Sequence, residues 1–360
     1  MIDPRVLVAG QCFGYPAKGY RSGHGVEARD VGLARGLHRL GWQVDLISTD
    51  AGMTDDETYN RIDWKDIIVE DYDAILSVEI TGWRRIAKHP EIAAKVEKHL
   101  NVSAVLDSLY DDIPAFLRSA GQTSPQLVAR QRLRFPKQDV FLLPWATADI
   151  PEGLPSPWAE PKTGIRVINT GIIWQRYLDA MNELADDPKI EMWLGGPFRF
   201  CGAPAWGLTK ADRDKKCNPK LHLMSDLAPF YGRPITDDKP EHGPVRYGDH
   251  FPFLIHADVG LNWVQGQGWS PISCKIADYM GAGLATVSEA GVPNNGDIIT
   301  LNCGCVVPQG DTPAMHKAIF EQAAIKRDRE AIRRAARALG TWNDSAELID
   351  LHLKRGWGGK

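Results

Sequence analysis

The chain has 360 residues, of which 43% are apolar and 24% charged, with a formal net charge of −4. At about 150 residues per domain this length predicts two domains or three, and the composition excludes wholesale disorder. The balance of 42 basic against 46 acidic residues gives no bulk cationic field, so a dedicated polyanion binder is not implied.

Six cysteines (Cys12, Cys201, Cys217, Cys274, Cys303, Cys305) include no CxxC pair, which fits reduced thiols better than a disulfide frame or a zinc knuckle. The opening MIDPRVLVAG is too short an apolar run for a signal-peptide core, and no stretch approaches about 18 uninterrupted apolar residues. The expectation is a cytoplasmic chain with no transmembrane segment and no metal centre.

Short β-branched runs alternate with segments of helical period, the pattern of parallel sheets wrapped by helices. Strands are expected at 6–10, 43–49, 74–78, 103–107 and 140–143. Helices are expected at 25–40 and 84–100, and after Ser124-Pro125, where Ser can cap and Pro can open the first turn. Prolines at 144, 151, 155, 157 and 161 resist both helix and central strand, which places a domain boundary there. The alternation then restarts, with strands at 166–170, 190–194, 258–263, 284–288 and 305–307. Its helices lie at 176–185 and 251–257 and begin again at Pro271, Pro313, Asp328 and Asp344. The domains expected are 1–160 and 161–340, followed by a last helix in 341–360. An insertion at about 197–246 shows no period and is mildly basic.

Gly10, Gly14, Gly19, Gly23 and Gly25 separate the first strand from the first helix, which lets backbone N–H groups approach an anion at a helix N-terminus. Gly23-His24-Gly25-Val26-Glu27-Ala28 fits GxGxxA with Asp50 beyond it, but a dinucleotide fingerprint must follow its strand directly, and this one does not. GxxxxGK[ST] and GxSxG are both absent. Asp71-Tyr72-Asp73 is a DxD that precedes an apolar run instead of ending one, so it reads as a turn before a strand.

The strongest pattern is QGQGWSPISCKIADYMGAG over 265–283. Gly268 lies in its glycine-rich turn, Ser270 is a good N-cap, Pro271 a good first helical residue, and Gly281 or Gly283 a good stop. Lys275 and Asp278 are three apart and share a helix face, so Lys275 can meet a phosphate while Asp278 accepts hydrogen bonds from sugar hydroxyls. The plain alternative is a surface ion pair.

The segment from Ser270, SPISCKIADYMGAGLATV, resembles the SPIKLFEYMAAGxPVV segment of family 4 glycosyltransferases, enzymes of the GT-B fold. Asn169-Thr-Gly171-Ile-Ile-Trp-Gln-Arg176 is similar to the family's first strand and turn of the second domain, and Ala257-Asp-Val-Gly-Leu to its AADVGL. Asn302-Cys-Gly-Cys-Val-Val-Pro-Gln-Gly-Asp311 is similar to its NCGLLVPPGD. The likeness is specific from about 165 to 311. The family's helix carries Glu where Asp278 stands and another Glu at Ser270, and its Arg and Lys pair over the diphosphate has Arg176 and Lys275 as nearest candidates.

The resemblance implies an α/β GT-B protein, two facing Rossmann-like domains with a cleft between them. It implies an enzyme that moves a sugar from a nucleotide-sugar donor of UDP or GDP type to an acceptor hydroxyl, with retention and without a required cofactor or metal. Gly14, Gly171, Arg176, Gly268, Ser270, Pro271, Lys275 and Asp278 are the implied donor contacts. His24, Glu79, Asp107 and Asp111, in loops just after strands, are the implied catalytic and acceptor-side groups. The acceptor expected is a glycan, a lipid-linked intermediate or a small metabolite. An alternative is a hydroxylated base in DNA, motivated by the basic insertion and twelve tryptophans. Outside this class stands a Rossmann NAD(P)-dependent oxidoreductase. Thr341-Trp-Asn-Asp-Ser resembles the opening of the family's last helix, which crosses back to the first domain.

Overall fold

Strands covered on both faces must be apolar almost throughout, and the central strands here are. The computed structural model describes residues 3–10, 25–47, 58–99, 101–106, 119–122, 125–134, 136, 139–143, 146–147, 150–171, 173–195, 198–199, 215–224, 227, 250–264 and 272–355. These form two compact units: one holds the amino-terminal strand, Val26–Ala146 and everything from Gly340 onward, and the other holds Thr147–Leu339.

The first unit contains β1 (Arg5–Ala9), α1 (Gly25–Arg39), β2 (Gln43–Ile47), β3 (Asn60–Ile62), β4 (Ala74–Val78), α2 (Glu79–Ile86) and α3 (Pro90–Lys98). It continues with β5 (Val102–Leu106), β6 (Ser119–Gln122), α4 (Pro125–Arg134) and β7 (Asp139–Leu142). Its seven strands are parallel and ordered β3-β2-β1-β4-β5-β6-β7, so the direction of winding reverses between β1 and β4. Leu7, Ala9, Ile75, Val102 and Leu106 pack with Ile86, Ala93 and Val96 of α2 and α3 on one face.

The second unit contains β8 (Ile165–Thr170), β9 (Ile173–Trp174), α5 (Gln175–Ala185), β10 (Ile190–Gly195), β11 (Phe198–Arg199), β12 (His222–Leu223) and α6 (Phe251–His256). It goes on through β13 (Val259–Asn262), α7 (Cys274–Gly281), β14 (Ala285–Glu289), α8 (Asn295–Thr300), β15 (Gly304–Val307), α9 (Thr312–Ala324) and α10 (Arg329–Leu339). Six parallel strands run β12-β10-β8-β13-β14-β15, and β9 and β11 form a separate two-stranded ribbon. Leaving that ribbon aside, both sheets have the doubly wound order in which the first strand sits beside the fourth.

The last helix, α11 (Trp342–Arg355), belongs to the first unit. It lies so close to α1 that a Cβ on Gly32 would meet the Trp342 ring at 2.4 Å, and one on Gly36 would meet Ala346 Cβ at 2.5 Å. Trp42 Nε1 donates to Asp350 at 2.7 Å, and Asn101 Nδ2 donates to the Leu353 carbonyl at 3.2 Å.

Three expectations change. The helix expected over 84–100 is two helices, because the residue before a proline is pushed out of the helical region: His89, preceding Pro90, has φ −114° and ψ 86°. The strands β3 and β6 went unforeseen, since Asn-Arg-Ile and Ser-Ala-Gly-Gln carry little apolar signal. The insertion, which shows no period in the sequence, contributes a strand: His222–Leu223 extends the sheet beside β10, and Cys217, Leu221 and Leu223 are buried in the same core as Val167 and Leu194.

Candidate functional site

In open parallel sheets, ligands collect where the winding reverses, outside the carboxyl ends of the strands. In the second sheet that place lies beyond β8 and β13. There β8 runs into Gly171, whose φ of +89° is left-handed backbone that costs another residue about 1 to 2 kcal/mol. Its N–H donates to the Gly195 carbonyl at 2.7 Å.

The helix following β13 is α7. Lys, Ala and Met favour helix, and Ile276, Ala277, Tyr279 and Met280 turn inward. The helix stops at Gly283 (φ +64°), where Gly283 N–H donates to Met280 O at 2.9 Å and Leu284 N–H to Tyr279 O at 2.8 Å, a Schellman ending. Its start departs from expectation: the helix begins at Cys274 with Ser273 in the N-cap position, later than a start at Ser270-Pro271 would give. Ser273 makes no side-chain cap; its hydroxyl donates instead to Asn262 Oδ1 at 2.6 Å. Ser273 thus gives the first turn of α7 no cap from its own side chain, and that turn carries the positive end of the helix dipole.

Tyr279 fixes α7 against the strand ends. Its hydroxyl accepts from Thr170 N–H at 3.1 Å and donates to Leu261 O at 3.1 Å, and burial pushes the phenol well above its ordinary range. Ser273 N–H donates to Asn294 Oδ1 and Asn294 Nδ2 to Ser273 O, both at 3.0 Å, which orients the turn into the helix.

One turn into this arrangement stands Lys275. A Cβ placed on Gly171 would lie 2.9 Å from Lys275 Cε and 3.8 Å from Nζ, so the ammonium sits directly over the glycine backbone. Lys275 is half-buried and has neither a hydrogen bond nor an ion pair with any described residue. Burial pushes its pKa below the usual lysine range, opposed in part by the nearby Cys274 thiol. A cation held this way is set up to accept an anion.

Arg176, the other expected cation, is differently placed. It is the second residue of α5, its Nη2 lies 2.5 Å from Glu289 Oε2, and it also donates to Val264 O at 3.1 Å. Glu289 is buried and accepts in addition from Val264 N–H at 2.7 Å and Gly310 N–H at 2.8 Å. Asp278 likewise points elsewhere than a sugar-facing surface: it is 5% exposed, with Oδ2 3.5 Å from Nε2 of the fully buried His250. Burial raises its carboxyl pKa, and His250 offsets part of the rise.

Glu79 is the first residue of α2, immediately past β4. His24, Asp107, Asp111, Gly14, Gly268, Ser270 and Pro271 lie outside the described residues. Of the expected donor set, the structure thus brings Gly171 and Lys275 together. Sequence reading missed Glu289 and Tyr279; a carboxylate ending the strand ATVSE was the available signal for the former. Among the described residues no group of three or more His, Cys, Asp or Glu is arranged to hold a metal, and no helix is long and apolar enough to cross a membrane. In the DxD, Asp73 follows a short 3-10 turn and accepts from Arg5 N–H at 2.9 Å.

No family model matches this chain, and no curated protein matches it. Solved structures do. The chain is similar to sucrose-phosphate synthase from Thermosynechococcus elongatus, with a TM-score of 0.59 and 17% identity over 99% of this chain and 100% of that one. It is similar to a glycosyltransferase from Rickettsia africae, with a TM-score of 0.62 and 11% identity over 100% of both chains. It is also similar to WaaG, a glycosyltransferase involved in lipopolysaccharide biosynthesis, with a TM-score of 0.55 and 10% identity over 96% of this chain and 99% of that one. These neighbours are GT-B glycosyltransferases, and the fold of this chain, two Rossmann-like domains, is theirs.

Proposed function

We propose that this protein is a glycosyltransferase that transfers a sugar from a nucleoside-diphosphate sugar, of UDP or GDP type, to an acceptor hydroxyl. The carrying observation is the half-buried Lys275 ammonium over Gly171, which pairs with no described residue and stands in the first turn of α7 at the reversal point of the second sheet. When the bond from the anomeric carbon to the diphosphate breaks, negative charge develops on phosphate oxygens, and a fixed cation with oriented N–H groups stabilises that change more than the ground state. The acceptor oxygen bonds to the anomeric carbon and gives up its proton. Glu79, His24, Asp107 and Asp111 are the groups assigned to binding the acceptor or taking that proton.

By resemblance the transfer is retaining and needs no metal, and the acceptor is a glycan, a lipid-linked intermediate or a small metabolite. Titration calorimetry of the full chain with UDP, GDP, UDP-glucose and GDP-mannose tests the donor class. Binding of one series is expected, and failure of all four to bind refutes the reading. Transfer that persists in EDTA, with a product that keeps the donor's anomeric configuration by NMR, tests the finer statements.

A further inference from the structure

An eight-residue helix is too short to persist alone, so the direction in which Lys275 and the first-turn amides of α7 point depends on what holds its far end. Among the described residues, one side chain donates hydrogen bonds to the carbonyls of that end. Arg329, the first residue of α10, donates from Nε to Gly283 O at 3.1 Å and from Nη2 to Ala282 O at 3.4 Å, both at the close of α7. The same guanidinium donates from Nη1 to Ala257 O at 3.1 Å and from Nη2 to Leu254 O at 2.9 Å, at the close of α6. Two helices thus end on one cation, which satisfies carbonyls that have no partner within their helices and meets the negative ends of both dipoles. The packing leaves no slack, since a Cβ on Gly283 would lie 2.4 Å from the Arg329 carbonyl.

We propose that Arg329 is a positioning residue for donor binding: it anchors the carboxyl end of α7 so that Lys275 stays aimed at the diphosphate about 12 Å away along the helix. This rests on the donor reading above. The planar fork with five N–H groups suits four carbonyls drawn from two helices; a methionine of similar length supplies no donor, and a lysine supplies a point charge that reaches fewer of them.

The test compares wild type, Arg329→Met, Arg329→Lys and Arg166→Met. Arg166 pairs with Glu191 at 2.9 Å between β8 and β10, so its loss weakens the unit without touching α7. With UDP and GDP as probes in calorimetry, Arg329→Met is expected to raise the Kd about tenfold and Arg329→Lys by less. Arg166→Met is expected to bind as wild type while losing at least as much urea stability. Amide exchange should quicken at 254–257 and 281–284 in Arg329→Met alone. Unchanged affinity in Arg329→Met, or an equal loss in Arg166→Met, overturns the positioning role and leaves the donor reading standing. If the wild type binds neither nucleotide, both fall together. Should Arg329→Met fail to fold, Arg329→Lys carries the same comparison with a smaller expected loss.

Discussion

Glu289 holds Arg176 at 2.5 Å while its two oxygens also receive the amides of Val264 and Gly310. The guanidinium is thereby neutralised by a buried carboxylate that ties the ends of β13 and β14 to the turn after β15. Among the described residues Lys275 has no such partner, which divides two cations that the sequence presents as equals. Lys275→Ala should weaken nucleoside diphosphate binding at least tenfold, about 1.4 kcal/mol, whereas Arg176→Ala should act mainly on stability by leaving Glu289 buried with one partner fewer. Calorimetry and urea unfolding on both variants check the division, and equal losses of affinity would refute it.

The same lysine should cost the unliganded protein stability. An ammonium drawn out of water without a counterion is unfavourable, so Lys275→Met should raise the apo melting temperature while lowering nucleotide affinity. The pH sign follows from the direction of its shift. Anion binding needs the protonated form, so affinity should fall as pH rises through a lysine pKa displaced downward from 10.5. In Lys275→Met that slope should be gone, as a calorimetric series from about pH 7 to about pH 9.5 would show.

Asp278 gives a second signed prediction. Its folded-state pKa is raised by burial, with His250 offsetting part, so the stability it contributes is present at low pH and declines as pH rises through the folded value. Asp278→Asn removes that decline. Relative to wild type, the variant should therefore gain stability between about pH 4 and about pH 7 in urea titrations. Because the carboxylate faces His250, nucleotide affinity should change far less in Asp278→Asn than in Lys275→Ala.

Gly36 tests the attachment of the last helix. With Ala346 Cβ 2.5 Å from where a side chain would begin, Gly36→Leu should push α11 off α1 and uncover Trp342 and Ala346. The expected cost is about 1 to 3 kcal/mol, with faster proteolytic loss of residues after 340 as the direct readout.

The doubly wound pattern was legible because central parallel strands are continuous apolar runs, as with Val6–Ala9 and Ala74–Val78, all buried. Strands without that signal were not: Ser119–Gln122 pairs between two better neighbours, so its existence is a property of the sheet and not of its own residues. At the site, periodicity correctly put Lys275 and Asp278 on one short helix. It could not tell that a buried histidine just ahead of another helix takes up Asp278 or that Glu289 takes up Arg176, because both partners arrive from distant sequence. The helix start shifted from Ser270 to Ser273 for a similar reason: Asn262 and Asn294, both remote in sequence, fix the turn.

The path of the backbone has a consequence for biosynthesis. Thr147–Leu339 is one continuous stretch and contains its whole sheet, whereas the unit that is translated first lacks α11 until Trp342–Arg355 has been made. The second unit can therefore close while the first is still waiting, with the glycine face of α1 bare throughout elongation. A stop codon near residue 340 would leave that face uncovered for good, and such a product is expected to be recognised by chaperones and degraded although every residue of the proposed donor pocket had been made.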